Sequence, residues 1–574
     1  MTLALDRGRV CCAQIAGMTP TERFLRARDL LLRHREDHEA ACASFAWPEL
    51  PQFNWALDYF DVVARGEPRP ALRMVDDVGE EARSFAELAD ISSRIASALQ
   101  RRGVARGDRV LLLLPTTIEL WELMLALIKL GAVIVPVTVQ LTVSDLRDRI
   151  TRGHVRHVIC DFVGCDRFAE IAGNYTRIVI GGVRIPGWIS YDELRNGPAG
   201  FVPGAPTNGD DLLLLYFTSG TTARPRPVAH SHTSYPVGHL STMYWLGLRA
   251  DDVHENISSP GWAKHAWSSF FAPWNAGATV LMHDYPRFSA EDALKVIRNY
   301  EVSSLCAPPT VWRMLMQVDM GPRPPAMRSL ACVGEPLSAE TFEQVQRAWG
   351  LPLRDGYGQT ETTAMIGNSP GLPIRPGSMG RPLPGYEVVL LDPNGVERAG
   401  GEVSLRMSPR PGGLMLGYLD DAPRDEDAEA ESYYRTGDEA IRDVDGYIHF
   451  VGRGDDLFKC SDYRISPFEL ESVLIEHPAV GEVAVVPSPD EVRLAVPKAY
   501  VAPAPGIEPS AGLARSILEY ARGQLAPYKR VRRLEFAELP RTASGKIRRV
   551  ELRRAEEARD GVRSPGEYRL EDFG

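Results

Sequence analysis

From Val110 to Val139 the chain is almost as apolar as a membrane span, but Pro115, Glu119, Glu122 and Lys129 interrupt it. A helix crossing lipid needs about 20 predominantly apolar residues, so the stretch predicts strand, helix and strand at Arg109–Leu114, Thr117–Leu130 and Val133–Val137. Unbroken Val, Leu and Ile runs of strand length are buried on both faces, as in a parallel sheet covered by helices. The same texture spreads outward. Strands near Ala71–Val75, Leu212–Leu215, Ser304–Ala307 and Leu330–Val333 alternate with amphipathic helices at Phe85–Arg102, Ser289–Tyr300 and Ala339–Ala348. The expected fold class is α/β, with layered, mostly parallel sheets and helices packed on them. At 574 residues the chain exceeds one simple domain.

The texture changes near Gly452. Gly452-Arg453-Gly454-Asp455-Asp456 is polar, and a smaller α+β unit follows. Ser466-Pro467-Phe468-Glu469 reads as a capping box opening its first helix, with proline at the first helical position. Strands are expected at Glu482–Val486 and Lys498–Ala502, and a helix at Ala511–Gln524. Two domains follow, 1–453 and 454–574, with a hinge expected at Arg453–Asp455 between them. A helical leader precedes Pro51, with apolar residues spaced through Thr21 to Leu32. Its His34 and His38 lack a third metal-type partner and read as a solvated helix face. Val202–Asp211 and Ser408–Gly413 read as connections.

A net charge of −11 argues against nucleic acid as the main partner. The eight cysteines have no metal-type spacing, which suits free thiols in a reducing, cytoplasmic setting. No apolar segment of signal-peptide type opens the chain, and no membrane span is expected.

The run Leu212–Leu215 leads into Thr218, Ser219, Gly220, Thr221 and Thr222, a crowd of small and hydroxylated residues. Such a loop presents backbone N–H groups and hydroxyls to a polyphosphate. It does not fit G-x-x-x-x-G-K-[ST]. Downstream stand Gly334-Glu335-Pro336, then Asp355-Gly356-Tyr357-Gly358-Gln359-Thr360-Glu361-Thr362, then Tyr434-Arg435-Thr436-Gly437-Asp438, then Arg453, Arg464 and Pro540-Arg541-Thr542-Ala543-Ser544-Gly545-Lys546. In that order, from about Phe53 to Arg554, the segments resemble the adenylate-forming superfamily of acyl-CoA synthetases, adenylation domains and luciferases. The resemblance is closest to medium-chain acyl-CoA synthetases, through Gly261-Trp262, Ala307-Pro308-Pro309-Thr310 and Ala526-Pro527-Tyr528-Lys529.

The resemblance implies roles. Tyr357 would stack on adenine, Thr360 touch the α-phosphate, Glu361 help hold Mg²⁺, and Asp438 and Arg453 meet the ribose. Lys546 would be the catalytic lysine of adenylation. Thr218–Thr222, Gly334, Glu335, Pro336, Asp355, Gly356, Gly358 and Arg464 complete the cofactor-binding set. Gly261, Trp262, Lys264, His265 and Trp312 would line a pocket for a medium-chain, aromatic or alicyclic acid. His230 and His232 are expected to be structural.

The implied chemistry is acid–CoA ligation. A carboxylate attacks the α-phosphorus of ATP, pyrophosphate leaves, and the thiol of coenzyme A then takes the acyl group from acyl-AMP. The C-terminal domain would swing about Asp455, bringing Lys459–Pro467 to the thiol's path. Ala223, Arg226 and Pro227 depart from the family's Thr-Ser-Gly-Thr-Thr-Gly-x-Pro-Lys-Gly loop. That loop grips the β- and γ-phosphates, which ATP has and acyl-AMP lacks. The departures therefore predict a weak or lost adenylation half, with acyl-AMP supplied by a partner enzyme. Only seven of the 65 Lys and Arg residues are lysine, so compositional drift accounts for Arg226, though not for Ala223 or Pro227. Asp462, standing where the family has glycine, puts some strain on the thioester step as well. The alternatives are a competent two-step synthetase or a stand-alone adenylation enzyme loading a carrier protein. A basic run, Lys529, Arg530, Arg532, Arg533, Arg541, Lys546, Arg548 and Arg549, suits either CoA phosphates or a solvated face.

Overall fold

The computed structural model describes residues 17–76, 78–218, 225–285, 288–420, 432–460, 463–490, 493–541, 546–559 and 561–573. Helix Ile118–Leu130 shows why the apolar stretch stays within the fold. It is buried on every side and ends at Gly131, whose φ of 68° gives the left-handed cap. Its two buried charges, Glu122 and Lys129, are partnered. Glu122 accepts from Arg83 at 3.0 Å, while Lys129 meets Asp61, the Ala89 carbonyl and Ser93 Oγ at 2.8, 2.8 and 2.9 Å.

That helix connects strands Arg109–Leu113 and Val133–Val137, neighbours in an eight-stranded sheet. The sheet is parallel from Leu212–Thr218 across to Ile189–Ser190, and antiparallel where Arg226–Ser231 and Gly417–Tyr418 extend it. A nine-stranded sheet repeats the plan, parallel through Pro70–Val75, Thr279–His283, Val253–Asn256, Ser304–Ala307, Ser329–Val333 and Leu353–Gln359. Thr363–Gly367, Arg381–Pro382 and Glu80–Ser84 add antiparallel ends. A four-stranded antiparallel sheet, Val388–Leu391, Gly400–Arg406, Tyr433–Arg442 and Ile448–Arg453, follows. The expected α/β layering is what the chain adopts.

From Phe458 onward the apolar side chains form their own core under strands Val480–Asp490, Leu494–Pro503, Arg533–Phe536 and Glu567–Arg569. Helix Pro467–Leu474 is capped by Ser466 Oγ, which accepts from Glu469 N at 3.2 Å. The capping box is only half made, because the Glu469 carboxylate turns to Lys529 instead. Several members of the basic run likewise form ion pairs: Arg549 with Glu471, Arg541 with Glu482, Arg548 with Glu551, and buried Arg533 with Asp490, Arg533 also donating to Ser488 Oγ.

The leader histidines also differ from expectation. His34 caps helix Pro20–Arg33, whereas His38 opens a second helix, His38–Ser44, and is only 6% exposed. The chain bends between them, so they share no solvated face.

Candidate active site

The site is built on strand Leu353–Gln359. Period-two alternation turns Gly356 to one face and Tyr357 to the other. On the Gly356 side lies the ring of Trp245, lodged against Gly356 and Gly367; a Cβ on either would come within 2.4 Å of it. The Trp245 indole donates to the Asp355 carbonyl at 3.1 Å. On the other side Tyr357 Oη and Gln359 Nε2 both donate to Asp438 Oδ2, at 2.6 and 2.7 Å. Asp438 lies opposite Arg453 in the register of the four-stranded sheet, with Arg453 Nε 3.6 Å from Oδ1. Gln359 also donates to the Thr436 carbonyl at 2.9 Å and accepts from Tyr434 Oη at 3.1 Å.

Asp438 is 4% exposed, and burial lifts its carboxyl above the ordinary carboxylate range. Arg453, Tyr357, Gln359 and Lys546 pull the other way, so Lys546 of the C-terminal unit is close enough for its charge to be felt. With Oδ2 taken by two donors, Oδ1 is the oxygen left for an arriving hydroxyl.

The next residues are held rigidly. Gly358 packs so tightly that a Cβ would lie 1.9 Å from the Thr363 carbonyl oxygen. Thr363 itself sits at φ 59°, a strained state for a β-branched residue, and is fixed by Tyr386 Oη at 2.7 Å and the Gly238 carbonyl at 3.2 Å. His230 Nε2 donates to the Thr360 carbonyl at 2.7 Å, its Nδ1 meets Ser234 Oγ at 3.0 Å, and burial pushes its pKa down to about 4. A neutral imidazole with one proton on Nε2 satisfies both contacts. His232 is buried and neutral, its pKa lowered to about 3 by burial.

Glu361 Oε1 accepts from Tyr418 Oη at 2.9 Å, and burial raises its pKa. The Arg226 guanidinium lies over the Tyr418 ring, 3.4 Å from its centroid. Thr218 Oγ1 donates to the Arg226 carbonyl at 3.4 Å, and the Pro227 carbonyl accepts from Leu419 N at 2.9 Å. No group of three His, Cys, Asp or Glu among the described residues is arranged to hold a metal. Mg²⁺ needs less, since it keeps waters and takes one or two carboxylates beside substrate phosphates. Glu361 fits that requirement.

Among the residues expected to line the acid pocket, Gly261 has φ 90°, and a Cβ there would lie 2.3 Å from Thr138 N. Lys264 and His265 follow in the turn Ala263–Ala266, with the His265 ring 5.2 Å from that of Trp121. Gly334, at φ 108°, opens onto free space. Glu335 accepts from Thr310 Oγ1 at 2.8 Å and lies 3.7 Å from Arg313, with Pro336 half-buried beside it. Trp312 is a correction. It has no exposed surface, packs edge-on to Trp349 and donates to the Ala331 carbonyl at 3.3 Å, which makes it core.

Residues 60–419 match the AMP-binding enzyme family, and 469–546 match its C-terminal domain. The chain belongs to the AMP-binding enzyme family. This AMP-binding enzyme is 42% identical over 522 residues to 4-hydroxybutyrate–CoA ligase 1 of Metallosphaera sedula, covering 89% of this chain and 92% of that one. It is 38% identical over 530 residues to the mitochondrial acyl-coenzyme A synthetase ACSM3 of Mus musculus, covering 88% and 91%. The anthranilate CoA ligase AuaEII, solved in complex with anthranoyl-AMP, superimposes with a TM-score of 0.80 at 29% identity, over 90% of this chain and 99% of that one.

In this AMP-binding enzyme the structure brings Tyr357, Asp438, Arg453 and Lys546 to one place. Asp455 follows Arg453 and accepts from its Nε at 3.4 Å. Arg464 lies in strand Tyr463–Ile465, opposite Lys459. Ser219, Gly220, Thr221, Thr222, Ala223, Asp462 and residues 542–545 lie outside the described residues. Sequence reading assigned no role to Gln359 or Tyr434, though both stand in the ordered segments, and did not single out Tyr418. Gln359 carried a usable signal, being two residues from Tyr357 on one strand. The two tyrosines carried none, since their partners are 57 and 75 residues away.

Proposed function

We propose that the protein joins a carboxylic acid to coenzyme A through an acyl-adenylate. One observation carries the reading: Tyr357, Gln359 and Arg453 converge on Asp438 within reach of the charge of Lys546. Tyr357 supplies a ring beside a buried carboxylate with one oxygen to spare, which suits adenine stacked next to a ribose diol. His230 fixes the Thr360 backbone where the α-phosphate would lie. As the acid's oxygen attacks the α-phosphorus and the bond to pyrophosphate breaks, the Lys546 ammonium offsets the added negative charge. Mg²⁺, held by Glu361, neutralises phosphate oxygens when bound. In the second step the sulfur of coenzyme A bonds to the acyl carbon, the anhydride C–O bond breaks, AMP leaves and the thiol proton is lost.

The two steps need different neighbours, so the unit beyond Asp455 would turn between them. The structure supports a pivot there, because Arg553 of the C-terminal unit holds the Asp455 carbonyl at 2.5 Å and Asp456 at 3.3 Å. That contact keeps the hinge segment attached to the unit that moves.

The finer reading is that adenylation is slow. Arg226 stands where a lysine would meet the terminal phosphates, and its guanidinium is stacked on Tyr418. Pro227 has no N–H to offer a phosphate. Losing two charge-assisted contacts, at about 1.5–3 kcal/mol each, slows the step by roughly 100-fold or more. Acyl-AMP made by a partner enzyme would then be the working substrate.

Two mixtures test both levels: acyl-AMP with CoA, and ATP–Mg²⁺ with free acid and CoA. Thioester in the first and little in the second is the expected result. Equal rates would refute the slow-adenylation reading, and no thioester in either would refute the ligase. Reverting Ala223→Gly, Arg226→Lys and Pro227→Gly together should raise the second rate at least tenfold.

A further inference from the structure

Lys264 is one of only seven lysines in the chain, and its environment is unusual. Its Nζ is shielded from solvent and has no hydrogen-bond partner among the described residues. Its charge is felt by Cys306 of strand Ser304–Ala307, by Cys332 of strand Ser329–Val333 and by Glu335. None of these neutralises it. Burial holds both thiols in their protonated form, and the Glu335 carboxylate is engaged with Thr310 and Arg313. His254, the other titratable neighbour, is neutral and bound on both nitrogens, to Ser304 Oγ and Ser268 Oγ at 2.9 Å each. Desolvation accordingly lowers the pKa of Lys264.

The position bears on the acid. Gly334, beside Glu335 and two residues from Cys332, has nothing among the described residues within 4 Å of where a Cβ would sit. Trp267, one turn beyond Lys264, lies behind Gly358 of the strand Leu353–Gln359, 2.9 Å from where a Cβ on that glycine would sit. An acyl chain leaving the adenylate past Gly334 therefore runs toward a buried ammonium that lacks an acceptor. In a chain where arginines far outnumber its seven lysines, this position carries a compact point donor and not a planar fork.

We infer that Lys264 sets acid specificity, and that the preferred acids carry an oxygen acceptor on the acyl chain: a hydroxyl, a ketone or a second carboxylate. The inference rests on the ligase reading above. An unsubstituted acid leaves the buried ammonium unpartnered, whereas an oxygen at the right depth satisfies it. A hydrogen bond to a charged donor corresponds to roughly 10- to 100-fold in kcat/KM.

The test compares kcat/KM for thioester formation from chemically prepared acyl-AMP and CoA across matched acids. These are hexanoate, 6-hydroxyhexanoate, 5-oxohexanoate and adipate, their four- and eight-carbon counterparts, and benzoate against 4-hydroxybenzoate. At least one oxygenated acid should exceed its unsubstituted match about tenfold or more. Lys264→Met should abolish or invert that ratio, and the acid that suffers most tells whether the acceptor is neutral or a carboxylate. An unsubstituted acid that is best in every set overturns the inference, as does a Met variant that slows all acids equally. If Lys264→Met does not fold, the wild-type ranking decides alone. Turnover without preference defeats this inference only, whereas no turnover of any acyl-AMP defeats the ligase and the inference with it.

Discussion

Asp438→Asn separates a nucleotide carboxylate from a structural one. The side chain keeps its shape and loses its charge. If the amide oxygen takes the place of Oδ2, it still accepts from Tyr357 and Gln359, but the amide nitrogen then faces the Arg453 guanidinium, 3.6 Å from the Oδ1 position. That sets donor against donor, with no acceptor left for ribose. If the amide flips, its nitrogen meets Gln359 Nε2, 2.7 Å from the Oδ2 position. Either way one charge-assisted hydrogen bond to the ribose is lost, about 1.5–3 kcal/mol, or roughly 10- to 150-fold in Kd. Calorimetric titration with an acyl-sulfamoyl adenosine, a stable mimic of acyl-AMP, reads this directly. The control is the same ligand without its 2′ and 3′ hydroxyls, for which the substitution should cost about threefold at most. The wild type adds a pH signature. Because burial raises the Asp438 pKa, affinity for the diol should climb as pH rises through that raised value, and the Asn variant should be flat. Equal penalties for both ligands, or none for either, would show that Asp438 does not hold the ribose.

Two further predictions concern stability. Glu255 is 1% exposed, accepts among the described residues only from Tyr285 Oη at 3.2 Å and is pushed up to about 8 by burial, so the folded state keeps a proton that the unfolded state sheds near pH 4.5. Stability should fall by about 1.4 kcal/mol per pH unit across that window; Glu255→Gln should flatten the decline and raise Tm at pH 8, and an unchanged pH profile would count against it. Gly261→Ala puts a Cβ 2.3 Å from Thr138 N at φ 90°. The backbone strain alone is about 1–2 kcal/mol, so denaturant titration should show a loss above about 2 kcal/mol, and a smaller loss would mean that the turn yields.

Much of the fold was legible because local chemistry and global placement agree. Val133–Val137 and Ser304–Ala307 are bounded as expected, since nothing but a doubly buried strand suits a short aliphatic run between polar breaks. Tyr357, Asp438 and Arg453, named from an ordered set of segments, do converge in the structure. What escaped depends on contacts between distant parts. Trp312 reads as a pocket aromatic until Trp349 and the Ala331 carbonyl claim it. Glu469 reads as half of a capping box until Lys529, far along the chain, offers a charge. The π-helical turns at Trp55–Phe60 and Trp267–Phe271 leave no periodic trace in so short a span. His34 and His38 looked like helix neighbours because spacing cannot reveal a bend between two helices.

Trp245 has a consequence for the ligand it stands behind. Two glycines on adjoining strands admit one indole, and any larger residue at either would evict the ring and let the strand roll. A wall buttressed from the rear is already set when the adenylate arrives, so the entropy of arranging it is lost in folding and not in docking. Under the proposed function, the grip on the adenylate is thereby tied to a ring on the opposite face of the sheet.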